Sequence, residues 1–341
     1  MWSDPRLQHV DSLQPGDLTP GRIHRLALRL MHDALGRAMD LPVLAAVGRK
    51  AGPTVGITAA VHGNELNGVE AIHKLFGSID LEHLRGTILA LPIVNVPGFL
   101  GRRRHLVEGR DLNHAFPGTT DGPTWSIYAH RLLTRFVVNL DVLLDLHTAS
   151  TGRVNTLYVR ANMHDARAAR IAHLQRPRII VHSPPADGTL RGAASDAGVT
   201  AITIEIGNPQ RFQRDVVSAS VRGIRAVLAE AGVLPKRKIQ LGPPPVVCVQ
   251  SEWRYSDRGG LMQVNVELGD MVVEGDLLAT LVSPWGDAIA SYTAPHAGII
   301  IGRSVDPVAA AGARIVHLGR LAQPCDKLHD QTSATDAWRQ R

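Results

Sequence analysis

A chain of 341 residues, 44% hydrophobic and 20% charged, has an ordinary globular composition and is long enough for one large core plus a smaller companion. Its net charge of +6 is carried by arginines and lysines that are mostly scattered rather than gathered in a stripe, and aromatics make up only 4% of the chain. That combination lacks the basic stripe and stacking platforms of a nucleic-acid binder and leaves anionic small molecules as the better use of the charge.

The opening "MWSDPRLQHVDSLQPGD" has two acids, a proline and no apolar segment of the secretory kind, and no run approaches the roughly 20 apolar residues of a membrane helix. A soluble, cytoplasmic protein without a membrane partner is expected. The two cysteines, Cys248 and Cys325, are far apart and match neither a disulfide framework nor a Cys-rich metal site.

Taken in order, the strand candidates are 41–47, 54–61, 86–95, 141–147, 155–161, 178–182 and 200–207. Several are apolar throughout rather than alternating, as in strands covered on both faces. Helical patterns lie between them at about 67–78, 124–139, 163–174, 191–198 and 211–231. The alternation predicts an α/β fold, a mixed but largely parallel sheet flanked by helices.

Ligands of such sheets bind beyond the carboxyl ends of the strands. "TVGITAAV" ends at His62, "DVLLDLH" ends at His147 and "TAITIEIG" ends around Glu205, so three chemically useful side chains share one sheet edge. His62 and Glu65 form an H-x-x-E pair in "AAVHGNE", but His105 and Glu108 repeat that spacing in the charged loop "GRRRHLVEGRD". The spacing alone is therefore weak, and the loop pair reads as a bystander.

Composition changes at "LPKRKIQLGPPPVV", which reads as a linker over 234–247 between a catalytic domain, 1–233, and a small all-β barrel, 248–322; a polar tail, 323–341, follows. The barrel's short runs, broken by Gly-Asp and Ala-Gly turns, look like a lipoyl or biotinyl carrier. No lysine occurs between Lys238 and Lys327, so a swinging-arm role is excluded. Covering the active-site mouth, shaping specificity or making a homo-oligomer contact remain.

The phrases "AAVHGNELNGVEA", "LPIVNVPGF", "GRDLNHAFPG", "LLDLHT" and "ITIEIG", in this order over about 40–230, resemble the succinylglutamate desuccinylase/aspartoacylase family of the zinc carboxypeptidase superfamily, and the carboxy-terminal segment resembles the barrel of its bacterial members. The resemblance implies one Zn²⁺ per chain held by His62, Glu65 and His147, with Glu205 as general base and Arg104 supporting the oxyanion. Two imidazoles and a carboxylate suit zinc and leave a position open for water. The chain departs from the family at one point: where D-L-N-R is usual, Asp111-Leu112-Asn113-His114 stands. Imidazole cannot make the bidentate fork of guanidinium, so either the substrate lacks a carboxylate at the spot faced by Asn113 and His114, or another arginine reaches in, with Arg191 as the candidate and Arg160 behind it.

The activity implied is hydrolysis of the amide of an N-acyl amino acid or related N-acyl amine, a small-molecule substrate. Two alternatives stand beside it: a zinc metallocarboxypeptidase acting on small peptides, and a binding module that has lost catalysis.

Overall fold

The computed structural model describes residues 7–236, 242–323 and 326–330. The amino-terminal part supplies ten strands: β1 (Leu7–Val10), β2 (Arg22–His32), β3 (Ala38–Val47), β4 (Lys50–Ala59), β5 (Arg85–Leu91), β6 (Val142–His147), β7 (Arg153–Asn155), β8 (Leu157–Ala161), β9 (Ile179–His182) and β10 (Thr200–Ile206). Its helices are α1 (Asn67–Phe76), α2 (Val96–Leu100), α3 (Thr124–Arg135), α4 (Ala166–Leu174), α5 (Leu190–Asp196) and α6 (Arg214–Glu230). Eight strands follow: β11 (Val246–Tyr255), β12 (Gly260–Val264), β13 (Met271–Val272), β14 (Leu277–Val282), β15 (Ala288–Thr293), β16 (Gly298–Ser304), β17 (Val308–Ala309) and β18 (Arg314–Leu321).

The large sheet runs β1-β2-β3-β5-β4-β6-β10-β8-β9-β11-β18-β16-β13, with β7 beside β16. At its centre β5, β4, β6 and β10 are parallel. These are the strands whose sequences are apolar throughout, and both faces are covered. One core layer joins Ile57, Leu144 and Ile204 to Ile72 and Leu75 of α1 and Ile224 of α6. The opposite layer joins Leu89 and Leu143 to Tyr128 and Leu132 of α3. Helix α1 lies so close to the sheet that a Cβ on Gly68 would stand 2.8 Å from that of Leu146 and 2.9 Å from that of Ala59. This contact holds the chain leaving β4 directly over the end of β6.

Two features differ from the sequence reading. No element was expected at 22–32, yet β2 pairs antiparallel with β3 along that whole span. "RIHRLALRLMH" mixes leucine, alanine and arginine, which favour helices, and only the pairing with β3 selects the strand. The carboxy-terminal strands also continue the main sheet: Val246–Cys248 of β11 run parallel to Ile179–Val181 of β9. β12, β14, β15 and β17 form a second, antiparallel sheet over a core containing Met262, Leu278, Leu281, Ile315 and Leu318.

Part of the 234–247 linker (237–241) and most of the 323–341 tail lie outside the described residues, as does Cys325. No helix among the described residues is long and apolar enough to cross a membrane.

Candidate active site

Strand β4 stops at Ala59, and Ala60 turns out of it with a left-handed φ of 50°. Alanine in that region costs on the order of 1 kcal/mol and persists only where its surroundings enforce it. Here the Ala59 and Ala60 carbonyls accept from the Val94 and Asn95 amides at 3.0 and 2.9 Å. The turn delivers His62 and then Glu65. Glycine at 63 is required by close approach rather than by torsion: a Cβ there would lie 2.0 Å from the Gly98 carbonyl carbon. In the parallel ladders Ala59 stands beside Leu146, and His147 beside Glu205. The three strand ends are thus level.

His62, Glu65 and His147 are all buried and converge. His62 Nδ1 is 2.9 Å from Glu65 Oε1, His147 Nδ1 is 3.1 Å from Glu65 Oε2, and the two Nδ1 atoms are 3.2 Å apart. Both outward nitrogens face carboxylates: His62 Nε2 lies 2.9 Å from Asp111 and His147 Nε2 lies 2.8 Å from Asp145. A carboxylate requires an N–H from each ring, so in neutral imidazoles both Nδ1 lone pairs point inward. Two nitrogen lone pairs and a carboxylate facing one another repel unless a cation lies among them. Their separations are close to the edge of about 3.3 Å set by tetrahedral bonds of about 2.0–2.1 Å. The donor set therefore fits a divalent ion of the zinc type.

The surrounding charges agree. With the rings protonated rather than neutral, burial pushes the Glu65 carboxyl up, but the charges and hydrogen bonds of His62 and His147 outweigh it and hold it well below the usual range. Asp111 is lowered in the same way, burial being overcome by His62 and Arg104. At His147 burial disfavours the charged ring, yet Asp145 and Glu65 raise it well above the ordinary imidazole value. Three carboxylates around two rings thus draw positive charge into the centre. Glu205, held largely by burial, is raised above the ordinary carboxyl value.

Arg104 is fixed by its neighbours. Nη1 donates to Glu65 Oε1 at 3.1 Å and to Ser150 Oγ at 2.7 Å, while Nε donates to Asp111 Oδ2 at 2.9 Å. The cleft beside it encloses about 340 Å³ and is lined by Glu205, Asn113, His114 and Arg191, among others. Asn113 Oδ1 accepts the Leu190 amide at 2.9 Å, which ties the D-L-N loop to the start of α5. That helix carries Arg191, whose guanidinium is buried and donates to the Ser183 carbonyl and hydroxyl at 2.8 and 2.9 Å. His114 is exposed at the rim. His105 and Glu108 are both exposed and belong to no metal-competent cluster among the described residues.

Sequence reasoning gave no role to several residues here. Asp145 precedes His147 by two positions on one strand, so the period-two rule places both on one face, and D-x-H was a usable signal. Trp253 and Arg314 line the cleft from β11 and β18, and Arg153, Tyr158 and Arg160 line it from β7 and β8. Of these five only Arg160 was a candidate in the sequence, as the arginine behind Arg191; no local pattern marks the other four, because strand pairing alone brings them to the site. Arg153, Arg160, Arg191 and Arg314 have no carboxylate within ion-pair distance among the described residues, whereas Arg104 has two.

Residues 51–231 match the succinylglutamate desuccinylase/aspartoacylase catalytic domain, and the chain belongs to that family. It is 29% identical over 283 residues to the N-alpha-acetyl-L-2,4-diaminobutyric acid deacetylase of Halomonas elongata, covering 78% of this chain and 81% of that one. In structure it is similar to a succinylglutamate desuccinylase from Silicibacter sp. TM1040, with TM-score 0.79 and 24% identity over 88% of this chain and 95% of the other. The apo form of the ectoine utilization protein EutE (DoeB) from Ruegeria pomeroyi gives 0.75 and 25% over the same shares. The shared fold is the mixed α/β sheet with its carboxy-terminal antiparallel strands.

Proposed function

From that membership we propose that the chain is a zinc-dependent amidohydrolase that removes the acyl group from an N-acyl amino acid. The observation that carries this reading is the inward convergence of His62, Glu65 and His147 beside a cleft that also holds Glu205. A divalent ion bound there supplies Lewis acidity to water and to the scissile carbonyl. The remaining chemistry belongs to the chain. Glu205 takes the proton of the attacking water and returns it to the leaving amine, a task helped by burial, which raises its carboxyl above the ordinary value. Arg104, locked by Glu65, Asp111 and Ser150, offers a preorganised cation to the developing oxyanion at no cost of reorganisation.

The charge of the cleft speaks to the substrate. A desolvated guanidinium wants a partner, and Arg191 and Arg160 have no carboxylate within ion-pair distance among the described residues, Glu205 and Asp145 acting on them only from farther off. Arg191 is the anchor for the substrate carboxylate, with Arg160 behind it, and takes over the grip that His114 cannot make. A cationic side chain, such as the free amine of a diaminobutyrate derivative, would enter a cleft whose lining carries five arginines, Arg104, Arg153, Arg160, Arg191 and Arg314, against two carboxylates, Glu65 and Glu205. We therefore place anionic and neutral N-acyl amino acids above that substrate. We also retain the division at 233 and 248, with the carboxy-terminal unit walling the cleft through Trp253 and Arg314.

The test is amine release by the purified protein from N-acyl amino acids, N-acyl diamines and dipeptides, with and without a chelator. Chelator-sensitive release from the first group supports the proposal. Release from dipeptides alone would replace it with a metallocarboxypeptidase, and one zinc per chain with no release would leave a binding module.

A further inference from the structure

The side chain of Glu205 has little direct support. The Asn155 amide donates to it at a long 3.5 Å from Oε2. A base that must take a proton from one place and deliver it to another has to be held more firmly than that. The antiparallel ladder between β8 and β10 places Tyr158 directly opposite Glu205, and Arg160 opposite Thr203. All four line the cleft.

A phenol has one hydrogen to donate and two lone pairs to fill. Arg160 supplies both acceptor contacts: Nε lies 3.2 Å and Nη2 lies 3.1 Å from the Tyr158 hydroxyl. The phenolic hydrogen is thereby turned away from Arg160, and the carboxylate facing it across the ladder is Glu205. Tyr158 cannot swing away. Its buried ring packs edge-on to His317 at 5.9 Å, and His317 stacks flat on Trp253 at 5.1 Å while its Nε2 is 2.8 Å from Ser251 Oγ.

We infer that Tyr158 is a positioning residue for Glu205, its hydroxyl oriented by Arg160 and its ring wedged by His317 from the carboxy-terminal strands. The inference rests on Glu205 as the base in the reading above. Burial, with Glu205 adding to it and Arg160 opposing, keeps the Tyr158 hydroxyl far above its ordinary range, so it remains a donor at every working pH. The carboxy-terminal strands thus act on catalysis from behind the base as well as from the mouth of the cleft.

The experiment is a double-mutant cycle of Tyr158→Phe against Glu205→Asp, which draws the carboxylate back by one methylene while keeping measurable turnover. In the wild-type background Y158F should lower kcat about tenfold, the worth of one hydrogen bond to a charged group, with KM within about twofold. In the E205D background Y158F should change kcat by less than about twofold. A raised KM with unchanged kcat would make Tyr158 a substrate contact. Equal losses in both backgrounds would make it a general packing residue, and either result overturns the inference. Crystal structures of wild type and Y158F test the same point without turnover: Glu205 should leave its wild-type rotamer in the variant, and an unmoved carboxylate refutes the hold. A wild type that deacylates nothing refutes the deacylase reading alone, because the structures still decide whether Tyr158 holds Glu205.

Discussion

Asp145→Asn probes the proposed metal centre without touching a proposed ligand. Asp145 is fully buried and accepts from His147 Nε2 at 2.8 Å and from the Thr58 hydroxyl at 2.7 Å. An asparagine fits the same space, and Thr58 can either donate to it or accept from it, so the packing survives. What changes is the pull on the imidazole. If the amide oxygen faces Nε2, the hydrogen bond remains but loses its charge. If the amide nitrogen faces it, the ring proton is forced onto Nδ1, the atom that must stay bare to bind metal. Replacing such outer partners weakens metal binding about 10–100-fold, or roughly 1.4–2.7 kcal/mol. The assay is the zinc dissociation constant by competition with a chelating dye at pH 7, alongside circular dichroism of the metal-free protein. An affinity within about twofold of wild type in a folded variant would refute the claim that Asp145 sets the tautomer of His147.

Glu205→Gln should leave one metal per chain and lower kcat by about 10²–10⁴, checked by metal analysis and turnover together; an unimpaired variant would remove Glu205 from the role of base. Arg191→Met should raise KM for a carboxylate-bearing N-acyl amino acid by about 10–100-fold while leaving an N-acyl amine without a carboxylate little changed, and equal effects on both would deny it the anchor role. The pH dependence of stability should carry a mark of His317. Burial, with Arg160 and Arg314 nearby, holds its imidazole well below the usual value near 6.5, so the folded state keeps it neutral while the unfolded chain takes up a proton. Its contribution is therefore complete above about pH 6.5 and is lost as the pH falls below that, with a slope of up to about 1.4 kcal/mol per pH unit. Melting temperatures from pH 8 to 5 should show a steeper acid decline in wild type than in His317→Gln, and parallel curves would contradict this.

What the sequence determined by itself is what depends on near neighbours along the chain. Unbroken apolar runs marked β4, β6 and β10 as central strands, because a strand covered on both faces needs apolar residues at every position. The polar residues closing those runs, His62, His147 and Glu205, marked the edge where chemistry could be done. The ordered motifs around them pointed to the family. Residues 22–32 were ambiguous because the same leucines and arginines satisfy a helix and a strand, and only ten residues of pairing with β3 resolve the choice.

Tertiary structure alone decided the rest. Asp111 reaches His62 from 49 positions away, and Arg104 braces Glu65 from 39. The register of β8 against β10 sets Tyr158 before Glu205, and the parallel docking of β11 on β9 leads into the strands that place Trp253 and Arg314 at the cleft. Registers of this kind follow from how whole faces pack, since a slip of one residue would turn every side chain of a strand to the other face. Local composition carries no record of that choice, so the residues that stand before Glu205 and line the mouth of the cleft become visible only in the folded chain.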